Sequence, residues 1–362
     1  MDDLYAWLKD AAWPLWLARG VDWERGGFYE ALDLQTHRCA APFRRLRVAA
    51  RQIFVFSKAH EAGLAGAADA VRLGLGFLER HAVQTDGGYA WRFDLDHRPI
   101  NTRRDLYDHA FVLLALSAAT AVVGEDALRQ TAVSLAAWLR DAFRHPAGGF
   151  LESLPPTLPR RQNPHMHLLE ALLAANAAFG CAPFATMAQG VLDLFGERLF
   201  NQEAAALPEY FDDALLPETA RGIFRVEPGH HCEWAWLLHA AEMQGLTVPA
   251  VTEPLLAFVD SHGLGMHGAL VDELGSDGRV LAAGARLWPQ TERLRAETLH
   301  KGVGSARVAA CSDVLRAYLR PDGLWHERRG ATGVFSQEPA PASSLYHLTG
   351  AILALQASAR VR

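Results

Sequence analysis

Histidines and carboxylates near the starts of apolar segments are the residues of this sequence whose spacing could support chemistry. His230 and Glu233 lie three residues apart, so on a helix the carboxylate can orient the imidazole and support its basicity. Asn163, His167 and Glu170 recur at i, i+4 and i+7 and therefore share one helix face. Imidazoles held beside carboxylates transfer protons efficiently near neutral pH. The spacing therefore predicts an acid/base site.

Other apolar segments also begin with polar or aromatic residues, namely Arg51, Tyr107, Trp288, Glu292 and His347. Taken singly, each has an ordinary explanation such as a salt bridge or a helix cap. An unpaired buried polar side chain costs ~1–3 kcal/mol, however, so packing alone does not explain such residues at six helix starts. The pattern predicts that the six starts converge on one pocket.

The spacing of potential ligands argues against a metal or nucleotide cofactor. His165 and His167 are two residues apart and cannot face the same way on a helix. The chain has no HExxH motif, no Cys/His zinc spacing, no GxGxxG after a strand and no P-loop. We therefore expect no metal and no cofactor.

A short glycine-containing phrase returns along the chain and indicates how these residues are positioned. The first three copies start 61 residues apart, and three degenerate copies follow. The six are Gly26–Glu30, Gly87–Trp91, Gly148–Glu152, Ala206–Tyr210, Gly268–Asp272 and Asp322–Glu327. Six copies of the phrase, separated by segments with helical periodicity, predict six copies of one supersecondary unit. We expect one all-α domain over residues 1–362, a closed ring of six helical hairpins.

Pairs of Ala- and Leu-rich segments lie between the phrases and have helical periodicity. The predicted pairs are 48–62 with 67–81, 106–123 with 126–143, 165–179 with 183–199, 233–244 with 251–262, and 291–301 with 306–319. The first helix of each pair is the more apolar, as expected for the inner layer of a two-layer ring. The inner helices should then point their N-terminal ends toward a common mouth.

Composition excludes several classes of partner. A net charge of −6 gives no electrostatic basis for binding nucleic acid or an anionic membrane. The longest apolar stretch, 110–123, is too short for a bilayer, which needs about 20 residues. Four cysteines stand far apart, and the N-terminus lacks the features of a signal peptide. We expect a cytoplasmic protein. Its oligomeric state is open, with a homodimer as one alternative.

The chain resembles the N-acylglucosamine 2-epimerase superfamily over nearly its whole length. The motifs that carry the resemblance are Ala50–Ser57, Asn163–Glu170, Pro228–His230 with Glu233–Trp234, Trp288–Glu292, and Tyr346–His347. The resemblance implies an (α/α)6 barrel that acts on the carbon next to a sugar's carbonyl. It implies catalytic roles for His230, His347, Glu233 and His167, and substrate-contacting or supporting roles for Arg51, Tyr107, Asn163, Met166, Trp288 and Glu292.

The resemblance also suggests a mechanism through an enediolate intermediate. His230, tuned by Glu233, and His347 would form the acid/base pair, and Arg51 would stabilise the developing oxygen charge. His167 is a candidate for ring opening, and Trp288 could stack on the sugar's apolar face. Return of the proton to C1 gives a ketose, whereas delivery to the opposite face of C2 gives the epimer.

We expect interconversion of D-mannose and D-fructose, with a monosaccharide as the substrate and neither nucleic acid nor a membrane as a partner. The alternatives are a sulfoquinovose isomerase and a 2-epimerase of cellobiose, glucose or N-acylglucosamine. An inverting glycoside hydrolase on a similar barrel would instead need two unpaired carboxylates, for which Asp108 and Glu292 are candidates. A non-catalytic helical scaffold would present a varied exposed surface rather than polar residues at helix starts.

Overall fold

The computed structural model describes residues 2–360, and within them twelve helices form two concentric layers. In chain order they are α1 (Asp2–Trp7, Leu8–Ala12 and Trp13–Arg19), α2 (Leu46–Glu61), α3 (Ala67–Phe77 and Leu78–Ala82), α4 (Leu106–Val123), α5 (Asp126–Ala142), α6 (Asn163–Phe179), α7 (Phe184–Leu194 and Phe195–Leu199), α8 (Pro228–Met243), α9 (Thr252–His262), α10 (Leu287–Lys301), α11 (Ala306–Tyr318) and α12 (Ala342–Arg360). The second segments of α1, α3 and α7 are π-helical turns.

The even-numbered helices form the inner layer. Each packs on the next around the ring, and α12 packs on α2 to close it. The odd-numbered helices lie outside, each against the inner helix that precedes it, and α1 packs on α12. The predicted (α/α)6 barrel is therefore confirmed. Its sixth hairpin joins the two ends of the chain, a pairing that the sequence prediction does not include.

Helix α4 illustrates what the inner position demands. Among residues 2–360 it is the one helix long and apolar enough to cross a membrane by length and composition, with a mean hydropathy of 1.7. It lies in the inner layer, and 72% of its residues are buried within the protein. Contact with helices on both sides accounts for its apolar character.

The predicted helix boundaries are accurate except at two starts. Helix α4 has the predicted bounds, but α8 begins at Pro228 and α10 at Leu287, five and four residues earlier than predicted. Both starts contain a proline in the first turn, where its missing N–H costs nothing. His230 and Trp288 consequently lie on the first helical turns rather than in loops.

Short antiparallel strands frame the mouth. They are β1 (Ala31–Leu32), β2 (Phe43–Arg45), β3 (Arg92–Asp94), β4 (Pro99–Asn101), β5 (Arg104–Asp105), β6 (Ser153–Leu154), β7 (Arg160–Arg161), β8 (Tyr210–Phe211), β9 (Thr219–Ala220), β10 (Ile223–Val226), β11 (Glu273–Gly275), β12 (Val280–Ala282), β13 (Ala285–Arg286), β14 (Arg328–Arg329) and β15 (Ala340–Pro341). The strand before each inner helix pairs with the strand after its outer helix. These pairs are β2–β3, β5–β6, β7–β8, β10–β11, β13–β14 and β15–β1.

The repeated phrase is the turn that follows each outer helix. At its first position all six copies have a positive φ, at Gly26, Gly87, Gly148, Ala205, Gly268 and Gly323. Glycine adopts this left-handed conformation without strain, which explains its recurrence. In the fourth copy the position belongs to Ala205, with φ 49°, so this copy begins one residue earlier than predicted. The corrected register places Glu209 at the fifth position, equivalent to Glu30 and Glu152.

A carboxylate at the fifth position can join one hairpin to the next. The side chain of Glu152 accepts the backbone N–H of Arg161 at 3.0 Å, just before α6. Asp272 does the same for Arg286 before α10, at 2.8 Å. Five of the six copies have such a carboxylate, at Glu30, Glu152, Glu209, Asp272 and Glu327, whereas the second copy has Trp91.

Three buried histidines stabilise the turn against the inner helix. His109 and His165 accept backbone N–H groups from Tyr89 and Phe150 through Nε2, at 2.9 and 3.0 Å. Through Nδ1 each faces a carbonyl oxygen of the preceding turn. His231 accepts from Leu207 in the same way, and Gln290 accepts from Leu270. Burial lowers the pKa of each of the three histidines to about 4, so they serve as neutral structural groups.

Gln290 shows that a glutamine can accept the same turn N–H group as the three histidines, and this suggests a test of their role. Replacing His109 by Gln should retain the bond to Tyr89, whereas His109→Ala should cost ~1–3 kcal/mol by leaving that N–H unpaired. Because the pKa of His109 is lower in the folded than in the unfolded state, its contribution is complete above about pH 6.5 and declines toward pH 4. Urea unfolding at pH 7.5 and 5.0 should show a smaller loss of stability for H109Q than for the wild type. An unchanged pH dependence in H109Q would contradict this role.

Candidate active site

The six inner helices contribute equivalent side chains to a ring around the barrel axis, about one turn from their starts. The ring consists of Arg51, Phe111, His167, Glu233, Glu292 and His347. Neighbours in the ring contact each other. The Arg51 guanidinium lies 4.1 Å from the centre of the Phe111 ring, and His347 Nδ1 lies 2.7 Å from Glu292 Oε1. One helical position thus supplies six side chains of four chemical types to a single place.

A cavity of about 230 Å³ opens above this ring, at the N-terminal ends of the inner helices. It is lined by Arg51, Tyr107, Asn163, His167, Glu227, His230, Glu233, Arg286, Trp288, Glu327, Ser343, Ser344 and His347. Eight of the ten predicted site residues are among them. A larger cavity of about 580 Å³ lies beside the β9–β10 hairpin, and none of the residues that line it is a histidine.

Two imidazole–carboxylate pairs face this cavity. His230 Nδ1 lies 2.9 Å from Glu209 Oε2, and His347 Nδ1 is paired with Glu292. The Trp288 ring lies between the two imidazoles, with centroid distances of 4.8 Å to His230 and 5.9 Å to His347. In each pair the carboxylate fixes the ring orientation through Nδ1.

The predicted pairing of His230 with Glu233 is wrong. Residues three apart on a helix are neighbours, but Glu209 approaches His230 from the preceding turn, 21 residues earlier in the chain. The Glu233 side chain points to the axis instead, where Oε1 lies 3.7 Å from His167 Nε2. The role of tuning His230 therefore belongs to Glu209.

The two imidazoles have opposite pKa shifts. Burial by itself would lower the pKa of His230, but the charge and hydrogen bond of Glu209, together with the charge of Glu227, raise it above its ordinary value. Burial lowers the pKa of His347, an effect that the bond to Glu292 only partly offsets. At neutral pH, His230 is therefore the more readily protonated of the two. Two groups with separated pKa values in one cavity can act as acid and base.

Asn163 can adapt to either charge state of His230. Its Nδ2 lies 3.0 Å from His230 Nε2, while its Oδ1 is buried without a hydrogen-bond partner. Rotating the amide by 180° would let Oδ1 accept a hydrogen bond from the Nε2–H of an imidazolium. The amide thus suits both the neutral and the charged ring.

Arg51 supplies a positive charge that no carboxylate within the described residues 2–360 neutralises by a direct ion pair. Its guanidinium donates to the Ser343 carbonyl at 3.2 Å and to the Tyr107 hydroxyl at 2.6 Å. It also lies over the rings of Phe111 and Tyr346. Nε has no hydrogen-bond partner. Such a preorganised cation can stabilise negative charge that develops on a bound ligand.

Glu233 is the buried acid of the site. It is 1% exposed, and neither carboxylate oxygen has a hydrogen-bond partner. Burial and the neighbouring charges of Glu292 and Glu170 raise its pKa well above the ordinary value. Burial lowers the pKa of His167 to about 4, and His167 Nδ1 bonds to Glu170 at 3.2 Å. At neutral pH we therefore expect a protonated carboxyl beside a neutral imidazole.

Three groups of histidines and carboxylates are compact enough to hold a cation, with ligand atoms within 4.8 Å of one another. They are His167 with Glu170 and Glu233, Glu209 with Glu227 and His230, and Glu233 with Glu292 and His347. In each group the imidazole Nδ1 already faces a carboxylate. A metal would compete with these pairs for the same carboxylate oxygens.

Two predicted substrate-contacting residues lie outside the cavity lining. Met166 is 0% exposed and packs in the hydrophobic core, because one residue along a helix rotates its side chain by about 100° from that of His167. Glu292 acts behind His347 and also accepts the Trp236 indole N–H at 2.8 Å. It supports the site rather than lining it.

The carboxylates considered for glycoside hydrolysis are both paired. Asp108 is fully buried, its Oδ1 accepts the backbone N–H of Arg47 at 2.9 Å, and the Arg47 guanidinium lies 3.0 Å from Oδ2 as an ion pair. Glu292 is paired with His347. An inverting hydrolase needs two carboxyl groups free to act across the cleft, and these two are engaged elsewhere.

The sequence interpretation missed six residues of the site: Glu227, Arg286, Glu327, Ser343 and Ser344, which line the cavity, and Glu209, which pairs with His230. Arg286 is held by Glu227 at 2.7 Å and by Asp272 at 2.9 Å. Glu209 and Glu327 both occupy the fifth position of the repeated phrase once its register is corrected. Five of the six copies have a carboxylate there, so the sequence does not separate these two residues from Glu30, Glu152 and Asp272.

Comparison with known proteins identifies the family. The sequence profile of the N-acylglucosamine 2-epimerase family matches residues 27–351. The chain is 36% identical to a mannose-6-phosphate isomerase of Rhizobium meliloti (strain 1021), over 98% of this chain and 96% of that protein. The chain belongs to the N-acylglucosamine 2-epimerase family. It is also 23% identical to a cellobiose 2-epimerase of Bacteroides fragilis, over 77% of this chain and 76% of that protein.

A solved structure of the family supports the fold independently. A crystal structure of D-mannose isomerase superposes with a TM-score of 0.85 at 20% identity, over 99% of this chain and 98% of that one. Together with the family match, the relatives make this chain an enzyme of the sugar isomerase and epimerase group.

The pairing of His230 with Glu209 can be tested against the pairing expected from sequence. Glu209→Gln should lower the pKa of His230, because it removes the charge that raises it, and should reduce kcat about 10- to 100-fold. Glu233→Gln should leave the pKa of His230 near its wild-type value. Both pKa values can be followed by NMR titration of the imidazole protons. A lowered His230 pKa in E233Q but not in E209Q would restore the rejected pairing.

Proposed function

We propose that this member of the N-acylglucosamine 2-epimerase family is an aldose–ketose isomerase that interconverts D-mannose and D-fructose. One observation carries the proposal. Two imidazoles with opposite pKa shifts, His230 and His347, flank one indole in a cavity whose floor holds an arginine without a carboxylate partner. This is the set of groups that proton transfer through an enediolate requires.

In the proposed reaction the open-chain aldose binds with its C1 carbonyl and C2 hydroxyl near Arg51. Neutral His347 takes the C2 proton, and the electron pair forms the C1–C2 double bond of the enediolate. Arg51 stabilises the negative oxygen, and His230 in its protonated form supplies the proton that O1 needs and recovers one from O2. His347 then returns its proton to C1, which gives the ketose.

The charges of the cavity favour a free sugar over a phosphorylated one. Arg286 is engaged by two carboxylates, and Arg51 lies at the floor, 4% exposed. The remaining charged groups that line the cavity are carboxylates and imidazoles, among them Glu227 and Glu327. A phosphate dianion would therefore have no arginine free to pair with it near the mouth. A cavity of about 230 Å³ also suits one sugar ring.

Epimerisation at C2 is the second candidate, because the site contains two imidazoles rather than one. If His230 rather than His347 delivered the proton to the other face of C2, the product would be the epimer. The resemblance to a cellobiose 2-epimerase supports this alternative. The separated pKa values favour isomerisation, since they give the two histidines different tasks.

The proposed reaction can be tested with chelator-treated protein and D-mannose in D2O, followed by NMR. Fructose with deuterium at C1 supports the isomerase, whereas glucose with deuterium at C2 and no fructose supports the epimerase. Activity after chelation would support the prediction of metal independence. His347→Gln and His230→Gln should each lower kcat ~100-fold or more with the fold preserved. Near-normal turnover in both variants would exclude the acid/base pair.

The substrate class is tested by comparing D-mannose with D-mannose 6-phosphate as substrates. Because the phosphate would meet carboxylates without a free arginine, we expect kcat/KM to be about 10-fold or more lower for the phosphorylated sugar. The measurement is a coupled assay of ketose formation at pH 7. A preference for mannose 6-phosphate would overturn the charge argument and leave the isomerase proposal standing.

A further inference from the structure

Glu327 differs from every equivalent residue of the fold. The fifth position of the repeated phrase has a carboxylate in five of the six copies, and four of these are paired with a basic side chain. Those pairs are Glu30 with Arg45, Glu152 with Arg160, Glu209 with His230 and Asp272 with Arg286. Among the described residues 2–360, Glu327 has no ion-pair partner within 4.0 Å.

Glu327 is held by neutral donors instead. The Ser344 hydroxyl donates to Oε1 and Oε2 at 3.0 and 2.8 Å, and the Trp325 indole N–H donates to Oε2 at 3.3 Å. These bonds fix the carboxylate at the first turn of α12, and its side chain lines the cavity that contains His347. A carboxylate with fixed geometry, no counter-charge and access to the ligand can exchange protons with it.

We propose that Glu327 is the residue that opens and closes the sugar ring, which gives the enzyme an anomer-interconverting activity separable from isomerisation. The inference rests on the proposed function in that it assumes a cyclic sugar in the same cavity. Sugars are predominantly cyclic in water, whereas the enediolate step acts on the open chain. Ring opening needs a base at the O1 hydroxyl and an acid at the ring oxygen.

The proton and electron balance of this step is complete with two groups. The Glu327 carboxylate takes the proton from O1, and the O1 electron pair forms the C1=O1 carbonyl. The C1–O5 bond breaks with its pair moving to O5, and O5 receives the proton of Glu233. Closure of the product ring reverses the transfers and returns both carboxyl groups to their starting states. Glu233 fits the acid role because its carboxyl is buried, without a hydrogen-bond partner, in the same cavity.

The surroundings of Glu327 suit a group that changes charge near neutral pH. Burial raises its pKa to about 7, while bonds from Ser344 and Trp325 favour the charged form. Glu338 raises the pKa and Arg328 lowers it, and these two residues pair with each other at 3.2 Å. On α12, the residues on the side of Glu327 are Ser344 and, one turn further along the helix, His347.

Ring opening is measured separately from isomerisation by dissolving crystalline α-D-mannose and following the approach to the anomeric equilibrium by NMR. The His347→Gln variant provides the background, because it should lose isomerisation but retain anomer interconversion. Adding Glu327→Gln to it should lower the enzyme-catalysed rate ~100-fold or more, toward the buffer rate. With Glu327 intact, the rate should rise with pH through about 7, since the charged form is the base.

Glu30→Gln is the matched control for a purely structural effect. Glu30 holds the equivalent position and is 3% exposed, but it does not line the cavity. Its replacement should lower the melting temperature and leave anomer interconversion unchanged.

In the otherwise wild-type enzyme, E327Q should also convert mannose to fructose at a rate limited by spontaneous ring opening.

The outcomes separate this inference from the proposed function. An unchanged anomer-interconversion rate in the E327Q background would overturn the role of Glu327, whatever the isomerase assay shows. Catalysed anomer interconversion without fructose or an epimer would support Glu327 and reject the isomerase. If E327Q fails to fold, Ser344→Ala offers a second test, because losing the fixing bonds should slow ring opening more than it lowers the melting temperature. An S344A variant with full ring-opening activity would contradict the inference.

Discussion

The N-terminal ends of six inner helices meet around one axis, and this convergence governs the rest of the structure. Each helix start leaves backbone N–H groups without intrahelical partners and adds a partial positive charge. Carboxylates of the neighbouring turns, such as Glu152 and Asp272, accept backbone N–H groups where the chain enters an inner helix. In the opposite direction, His165 and Gln290 on the inner helices accept backbone N–H groups of the turns. Acidic side chains concentrate where the helix dipoles favour negative charge. A cavity rich in buried carboxylates follows from the architecture.

The functional residues occupy positions that are equivalent in the six hairpins but have different side chains. The fifth residue of the phrase is a structural carboxylate in three copies, as Glu30, Glu152 and Asp272, but in the fourth it orients His230 and in the sixth it faces the cavity as Glu327. The ring position shows the same divergence, with an arginine, a phenylalanine, two histidines and two glutamates from six equivalent helix turns. A symmetric backbone thus carries an asymmetric set of groups, and an asymmetric ligand such as a sugar needs such a set.

The buried histidines of the inner helices fall into two groups according to whether a backbone carbonyl or a carboxylate faces Nδ1. In His109, His165 and His231 both ring nitrogens face backbone groups, and burial keeps the rings neutral. His230 and His347 face carboxylates through Nδ1 and direct the rest of the ring to the cavity. Two sequence motifs each contain one histidine of either kind. His165 and His231 have structural roles, whereas His167 and His230 line the cavity. Their helical spacing points the two members of each pair in different directions.

The sequence by itself determined the six-fold repeat, the helices and most of the residues that line the cavity. These properties are local, since a 3.6-residue period, a positive φ at a turn glycine and a polar helix start can each be recognised within a few residues. The partner of His230 was not local. Glu233 was the neighbour along the helix, whereas Glu209 reaches the imidazole from a preceding turn, and only the packing of that turn against α8 decides between them. Met166 was likewise predicted to contact the substrate because of its motif. Its position on the helix directs its side chain into the core instead. The opposite pKa shifts of His230 and His347, and the absence of an ion-pair partner for Glu327, depend on burial and on charges contributed by distant segments. Such properties depend on all the groups that surround a side chain in three dimensions, so they are defined only in the folded barrel.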